Sequence, residues 1–527
     1  MTEKPARRER GADRRQVLGG LAAAGLSGPM AHAATLDARL KDAIHTVVVI
    51  YAENRSFNNL LADFPGILHP LSAVPPERLV QRDRDGTVLP HLPPIWGGLV
   101  PVEQPLSGKP YRIGQDAITG LANMPFALRT PEGDPLPHGL VTRDLWHLFY
   151  HNQMQINGGR NDGFVAWGNS GALVMGHYGD AAARLRIGRL ARRFTFCDNF
   201  FMGAFGGSFL NHQYLVAAQP PFYPDADKTP ARHLIADVEG GDPKGTRLKP
   251  LPDSPASALD GPPKFGPNKL TPDFWAVNTM FPPYPPTARA PDNPARLPPQ
   301  HHKMIGDLLS AKGVSWAWYG GAWQAALEGR TVHGVFPPRP NFQIHHQPLN
   351  YFASLAPGTP ARAEHLRDGG LGSTPATNKF MADARAGRLP SVAFYKPEGD
   401  LNMHAGYSDV AAGDRHIAAV VDALQSGPQW PNMLIVITFD ENGGWWDHVA
   451  PPRGDRWGPG SRIPAIIVSP HARRGHVEHT VYDTGSILRF ITRRFALEKL
   501  PGLRMREDEM RRHMGFAPGD LTETLSL

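Results

Sequence analysis

The stretch His45-Thr46-Val47-Val48-Val49-Ile50-Tyr51 is an unbroken series of apolar, mostly β-branched residues. Side chains on successive strand positions point to opposite faces, so such a run needs cover on both, as an inner strand of a parallel sheet has. The pattern returns at Met433-Leu434-Ile435-Val436-Ile437-Thr438-Phe439 and at Ala465-Ile466-Ile467-Val468. Shorter versions lie at Val314–Tyr319 and Ser391–Tyr395. Helical patterns fall between and after them. His416 to Leu424 follows Asp414 and stops before Gly427; Met304, Ile305, Leu308 and Leu309 share a face before Gly313; Ile487, Leu488, Phe490 and Ile491 mark a late helix. Strands alternating with helices predict an α/β fold with a mainly parallel central sheet flanked by helices.

Both of the clearest buried strands end in a polar burst. Tyr51 is followed by Ala52-Glu53-Asn54-Arg55-Ser56-Phe57, and Phe439 by Asp440-Glu441-Asn442-Gly443-Gly444-Trp445-Trp446-Asp447-His448. Sites in open α/β sheets form at the carboxyl ends of strands. A carboxylate stranded there is costly unless it is paired or binds a cation. Glu53, Asn54, Asp440 and Glu441 are hard oxygen donors, which suits a divalent metal cation whose identity the sequence leaves open. A turn with capping carboxylates accounts for either cluster taken singly; two clusters on similar strands weaken that reading.

A third element is Phe205-Gly206-Gly207-Ser208-Phe209-Leu210-Asn211-His212. Glycines before a serine allow a sharp turn and close approach of a substrate, and a metal or base would make Ser208 a nucleophile. Locally, a plain turn serine is the better reading, and the segment is not Gly-x-Ser-x-Gly. Of the 23 histidines, His147, His345, His346 and His404 stand in notable contexts. A histidine binds phosphate as imidazolium, protonates a leaving alkoxide or ligates a metal; any one alone also reads as a hydrogen-bonded structural residue.

Taken together, these segments resemble the bacterial phospholipase C and acid phosphatase phosphoesterases. Glu53-Asn54-Arg55-Ser56-Phe57 is similar to that family's opening signature, Asp440 to Val449 to its late one, and Ser208 to His212 to its nucleophile segment. The matches run in order from about residue 45 to 495. Asn152 to Gly159 and His345 to Phe352 look more like the acid phosphatase branch. The resemblance implies an alkaline-phosphatase-like core. It implies metal-ligand roles for Glu53, Asn54, Asp440 and Glu441, with Ser208 as nucleophile beside the ion. It implies substrate or transition-state roles for His147, His346 and His404, with His345 as a further candidate and Asp409, Asp447 and His448 as weaker ones. The expected activity is that of a metal-dependent acid phosphatase working through a phosphoserine. The alternatives are a phospholipase C acting on phosphodiester head groups and a non-catalytic phosphate-binding envelope protein. A sulfatase is disfavoured, since Cys197 is not followed by x-Pro-x-Arg.

Composition sets the remaining bounds. Of 527 residues, 41% are hydrophobic and 20% charged, ordinary for a globular chain. The net charge is +6, half of it from residues 1–33, and no basic stripe with interleaved aromatics argues for nucleic acid. One cysteine, Cys197, rules out an intramolecular disulfide, and its phenylalanine neighbours make it a core residue. Arg14-Arg15, the apolar run Val17 to Leu26 and Ala31-His32-Ala33 together read as a twin-arginine export signal over 1–33, which points to a periplasmic or secreted protein. No stretch is read as transmembrane. Residues 34–527 are read as one phosphoesterase domain with a Pro/Gly-rich excursion at about 219–300. The partner expected is a small phosphate ester or phospholipid head group; the oligomeric state is left open.

Overall fold

The computed structural model describes residues 29–286, 293–331 and 340–527, with side chains from Thr35 onward. The apolar run and Arg14-Arg15 of the expected export signal lie outside the described residues. A helix, α1 (Pro29–Ala43), leads into the first strand.

Among the described residues eight strands make the central sheet: β1 (Thr46–Ala52), β2 (Thr195–Cys197), β3 (Trp316–Gly321), β4 (Leu366–Gly370), β5 (Val392–Lys396), β6 (Met433–Phe439), β7 (Ala465–Val468) and β8 (His476–Glu478). Their spatial order is β8-β2-β7-β6-β1-β5-β3-β4. Only β7 runs against its neighbours; every other pairing in the sheet is parallel. The expected α/β class with a mainly parallel sheet is what the chain forms. All seven residues of β1 and all seven of β6 are buried, as their two-sided apolar patterns require. The two are direct neighbours, with Val49 opposite Val436 and Ala52 opposite Phe439. Each buried valine or isoleucine contributes about 1.5–3 kcal/mol relative to exposure, so this pair is the most strongly anchored part of the sheet.

Two boundaries differ from the sequence reading. β3 starts two residues later than the predicted Val314, because Val314 still closes the preceding helix through its N–H to Leu309 O, 3.0 Å. The helix predicted from His416 begins at Val410 instead, capped by Asp409, whose Oδ1 accepts from Ala412 N at 2.7 Å. Asp414, taken as the start signal, is inside this helix and caps another one, accepting from Arg186 N and Ile187 N at 2.9 Å each.

Among the described residues of 219–300, the chain forms short 3-10 turns and isolated bridges without a long element. They are tied down by buried side chains such as Leu234, Leu248, Leu270, Val277 and Met280, which join the same apolar cluster as the sheet. Cys197 is fully buried in β2. No helix among the described residues is long and apolar enough to cross a membrane.

Candidate active site

The register that sets Ala52 opposite Phe439 delivers Glu53-Asn54 and Asp440-Glu441 to one edge of the sheet. Asp440 N donates to Ala52 O at 3.1 Å and prolongs the ladder by one bond. The two turns then interlock. Asp440 Oδ1 accepts from Asn54 N (3.0 Å) and Glu441 N (2.8 Å), and Glu441 Oε2 accepts from Gly443 N at 2.5 Å. Asn54 has a left-handed backbone, φ 58°, a conformation asparagine tolerates. A side chain on Gly443 would place its Cβ 2.3 Å from Asn54 O, so glycine is required there. Ser56 caps helix α2 (Phe57–Leu61) by accepting from Asn59 N and donates to Trp446 O at 2.9 Å, tying the first signature to the second. Arg55, fully buried, donates to Met403 O from Nε (2.9 Å) and Nη2 (2.8 Å), and so fixes the loop that carries His404.

Ser208 is the first residue of helix α4 (Ser208–Ala217), which comes later in the chain than α3 (Phe149–Ile156). The first amides of a helix lack intrahelical acceptors, a setting that favours anions. The turn before it is wedged against residues 147–149. A Cβ on Gly206, whose φ is +90°, would lie 2.4 Å from Phe149 N. Asn211 braces the turn from within the helix: Oδ1 accepts from Ala204 N (2.9 Å), while Nδ2 faces the carbonyls of Ala204 (3.1 Å), Gly207 (3.2 Å) and Gly206 (3.3 Å).

Ser208 Oγ lies 3.2 Å from Glu53 Oε2, 3.3 Å from Asn54 Oδ1 and 3.3 Å from Glu441 Oε1. A hydroxyl has one proton, so three acceptors exceed what it can satisfy. Asp440 Oδ2 is buried and has no hydrogen-bond partner among the described residues. Burial, with Glu53 nearby, pushes the Asp440 carboxyl up to about 8. Burial and Asp440 raise Glu441 well above the usual carboxylate range. A surplus of buried oxygen donors with raised affinity for positive charge fits a hard divalent cation, with Glu53, Asn54, Asp440, Glu441 and Ser208 as its oxygen donors. A second arrangement of donors, Glu53 with His212 and His346, also lies within ligand reach, as does Asp144 with His147 and His404.

The histidines converge on this cluster. His346 Nε2 is 3.0 Å from Glu53 Oε1 and His404 Nε2 4.0 Å from Glu53 Oε2. His147 Nε2 is 3.3 Å from Asn54 Nδ2 and 3.7 Å from Glu441 Oε1, with Nδ1 2.6 Å from Leu145 O. His345 packs edge-on to His346, ring centroids 4.8 Å apart. Burial pushes His346 down to about 4 and lowers His345 and His404 as well. Burial also raises the Glu53 carboxyl, but His346 and Lys396 outweigh it and hold the group well below its usual range. Lys396 Nζ also contacts Glu53 Oε1. A cavity of about 250 Å³ opens onto Ser208 and is lined by Asp144, His147, Asn278, His345, His404 and Tyr407 among others. Asn278 belongs to the 219–300 excursion, which therefore reaches the mouth of the site.

The structure thus brings Glu53, Asn54, Ser208, His147, His345, His346, His404, Asp440 and Glu441 together. Asp409 is elsewhere, capping α5 (Val410–Gln425). Asp447 accepts from Asn58 N (3.0 Å) and pairs with Arg462 (3.1 Å), and His448 Nδ1 lies 3.0 Å from Asn58 Oδ1, so both order the loop. Two residues at the cluster escaped the sequence reading. His212 lies one helical turn after Ser208, its Nδ1 2.7 Å from Ser208 O, and the i, i+4 spacing was a usable signal. Lys396 ends β5, and a lysine closing a buried strand before Pro397 was the other.

The chain belongs to the Phosphoesterase family, which it matches over residues 44–498, and its class is that of phosphoric ester hydrolases. Phospholipase C B of Mycobacterium tuberculosis is 25% identical over 442 residues, covering 76% of this chain and 67% of its own length. Non-specific phospholipase C6 of Arabidopsis thaliana is 36% identical over 149 residues, 23% of this chain and 29% of its own. Non-hemolytic phospholipase C of Pseudomonas aeruginosa is 27% identical over 178 residues, 28% of this chain and 25% of its own. The chain thus spans about two thirds of the mycobacterial relative and under a third of the other two.

Proposed function

We propose that this protein is a metal-dependent acid phosphatase that hydrolyses phosphate monoesters through a phosphoserine at Ser208. The observation that carries it is the Ser208 hydroxyl at a helix N-terminus, within 3.3 Å of three oxygen donors of a buried carboxylate cluster. Glu53, Asn54, Asp440 and Glu441 would hold a divalent cation, which would supply a lowered pKa at the serine hydroxyl and positive charge for the phosphoryl oxygens. Ser208 Oγ attacks phosphorus in line; the new P–O bond forms as the bond to the leaving oxygen breaks. His346 or His404 supplies the proton to that oxygen. His147 and the first amides of α4 hold the phosphoryl oxygens. Water then cleaves the phosphoserine, releasing phosphate and restoring the hydroxyl. His345, on the cavity wall, contacts the substrate.

The test is hydrolysis of p-nitrophenyl phosphate from pH 4 to 9, by the purified protein and by Ser208→Ala. Turnover peaking below pH 7 and lost by at least ~10³-fold in the variant is the expected result. Turnover that survives the substitution moves the nucleophile elsewhere, and a profile still rising above pH 8 removes the imidazolium from phosphate binding.

A second reading, phospholipase C, is supported by the names of the relatives and by a further cavity of about 320 Å³. This cavity shares Asp144 and Gly406 with the first and adds Val102, Val141 and Trp146. Turnover of p-nitrophenylphosphorylcholine without monoester activity selects it. Export through the twin-arginine route belongs to the same proposal. Replacing Arg14-Arg15 by Lys-Lys is expected to retain the protein in the cytoplasm.

A further inference from the structure

Glu53, Asp440 and Glu441 are fully buried around Ser208. Among the described residues, Lys396 is the one lysine or arginine that makes an ion pair with any of these three carboxylates. It is itself fully buried, and its Nζ sits over the Tyr51 ring, 5.2 Å from the centroid. Tyr51 is the penultimate residue of β1, and β5 lies beside β1 in the sheet. The ammonium is therefore held by a strand and a ring, not by a loop that could swing it into water. Buried charge must be compensated in place. With all three carboxylates ionised, as metal ligation requires, one ammonium leaves two negative charges, which one divalent ion closes to zero.

We infer that Lys396 is the built-in cation of this centre: it takes the place that a second metal ion would fill beside Glu53 and limits the site to one divalent ion. The inference rests on the metal-dependent reading above, but its test does not use turnover. A lysine that only props Glu53 in position and a lysine that competes with metal make opposite predictions. Removing a prop weakens metal binding; removing a competing positive charge strengthens it.

The full chain is stripped with a chelator and titrated with Mn²⁺, with bound metal counted by equilibrium dialysis and the spin environment read by electron paramagnetic resonance. The wild type is expected to bind one Mn²⁺ per chain with the six-line signal of an isolated ion. Lys396→Met is expected to gain: a second, spin-coupled Mn²⁺, or one ion bound about tenfold or more tightly. Should the stripped variant fold poorly, the rise in thermal midpoint on adding Mn²⁺ is expected to exceed that of the wild type. Two ions per wild-type chain overturn the inference. So does a variant with one ion at equal or weaker affinity, or with no larger thermal rise. A wild type that binds neither Mn²⁺, Zn²⁺ nor Ca²⁺ fails earlier, at the metal-dependent reading itself.

Discussion

Asn211 does no chemistry, yet its amide supports the turn that aims Ser208, facing the carbonyls of Ala204, Gly206 and Gly207. Asn211→Ala leaves Ala204 N without its buried acceptor. It is expected to cost about 2–4 kcal/mol in urea unfolding and to lower kcat at least ~10-fold with a smaller change in KM. Gly206→Ala acts on the same turn from outside, forcing a Cβ onto Phe149 N at positive φ. A loss of about 2–4 kcal/mol, read from the same unfolding curves, is expected. At this scale the sequence was informative where a residue looked out of place. Glu53 and Asp440 stand out because a charge ends an apolar strand. Lys396 was missed because its aliphatic stem packs like the strand before it and only its tip betrays a charge. His212 was missed because one polar residue in a helix is unremarkable until its neighbours in space are known.

The site's geometry is made by two neighbouring strands and the turns that follow them. The clasp between those turns is Ser56, which caps α2 and bonds Trp446 O. Ser56→Ala is expected to destabilise by about 1–2 kcal/mol and to weaken binding of a divalent ion, measured by chemical denaturation and by Mn²⁺ titration. The strands themselves were legible because two-sided burial writes a continuous apolar run. Their ends were less so, as β3 shows, since a residue such as Val314 serves helix and strand equally. The cap of α5 was misplaced for a related reason. Asp409 and Asp414 are both good cap residues, and only tertiary contact shows that Asp414 caps the helix at Arg186–Arg193 instead. The antiparallel β7 left no mark at all, because strand direction is set by connections and not by side chains.

At the scale of the whole molecule, buried neutral histidines set the response to acid. His416 is fully buried between Ser373 Oγ and Tyr395 OH, 2.8 Å from each, and burial pushes it down to about 3. Between that value and the ordinary 6.5, the unfolded chain binds a proton that the folded chain does not, so folding stability falls as pH falls through this window. One such group gives a slope of about 1.4 kcal/mol per pH unit. Unfolding free energies measured from pH 7 to 4 are expected to show it, and His416→Gln to flatten it by about one proton. A protein proposed to work in acid therefore carries a built-in acid weakness. The overall class and the excursion at 219–300 were readable from composition and rhythm. That the excursion supplies Asn278 to the cavity was not, because its path depends on contacts with distant parts of the chain.

The position of β1 in the middle of the sheet has one more consequence. Both strands that flank it, β5 and β6, come after residue 391. During synthesis this apolar strand is thus made early and waits, unpaired on either edge, while the stretch up to Val392 is added. At ~5–20 residues per second that interval is on the order of tens of seconds. The newborn protein therefore has a sticky, aggregation-prone segment in need of a chaperone until its last third emerges from the ribosome.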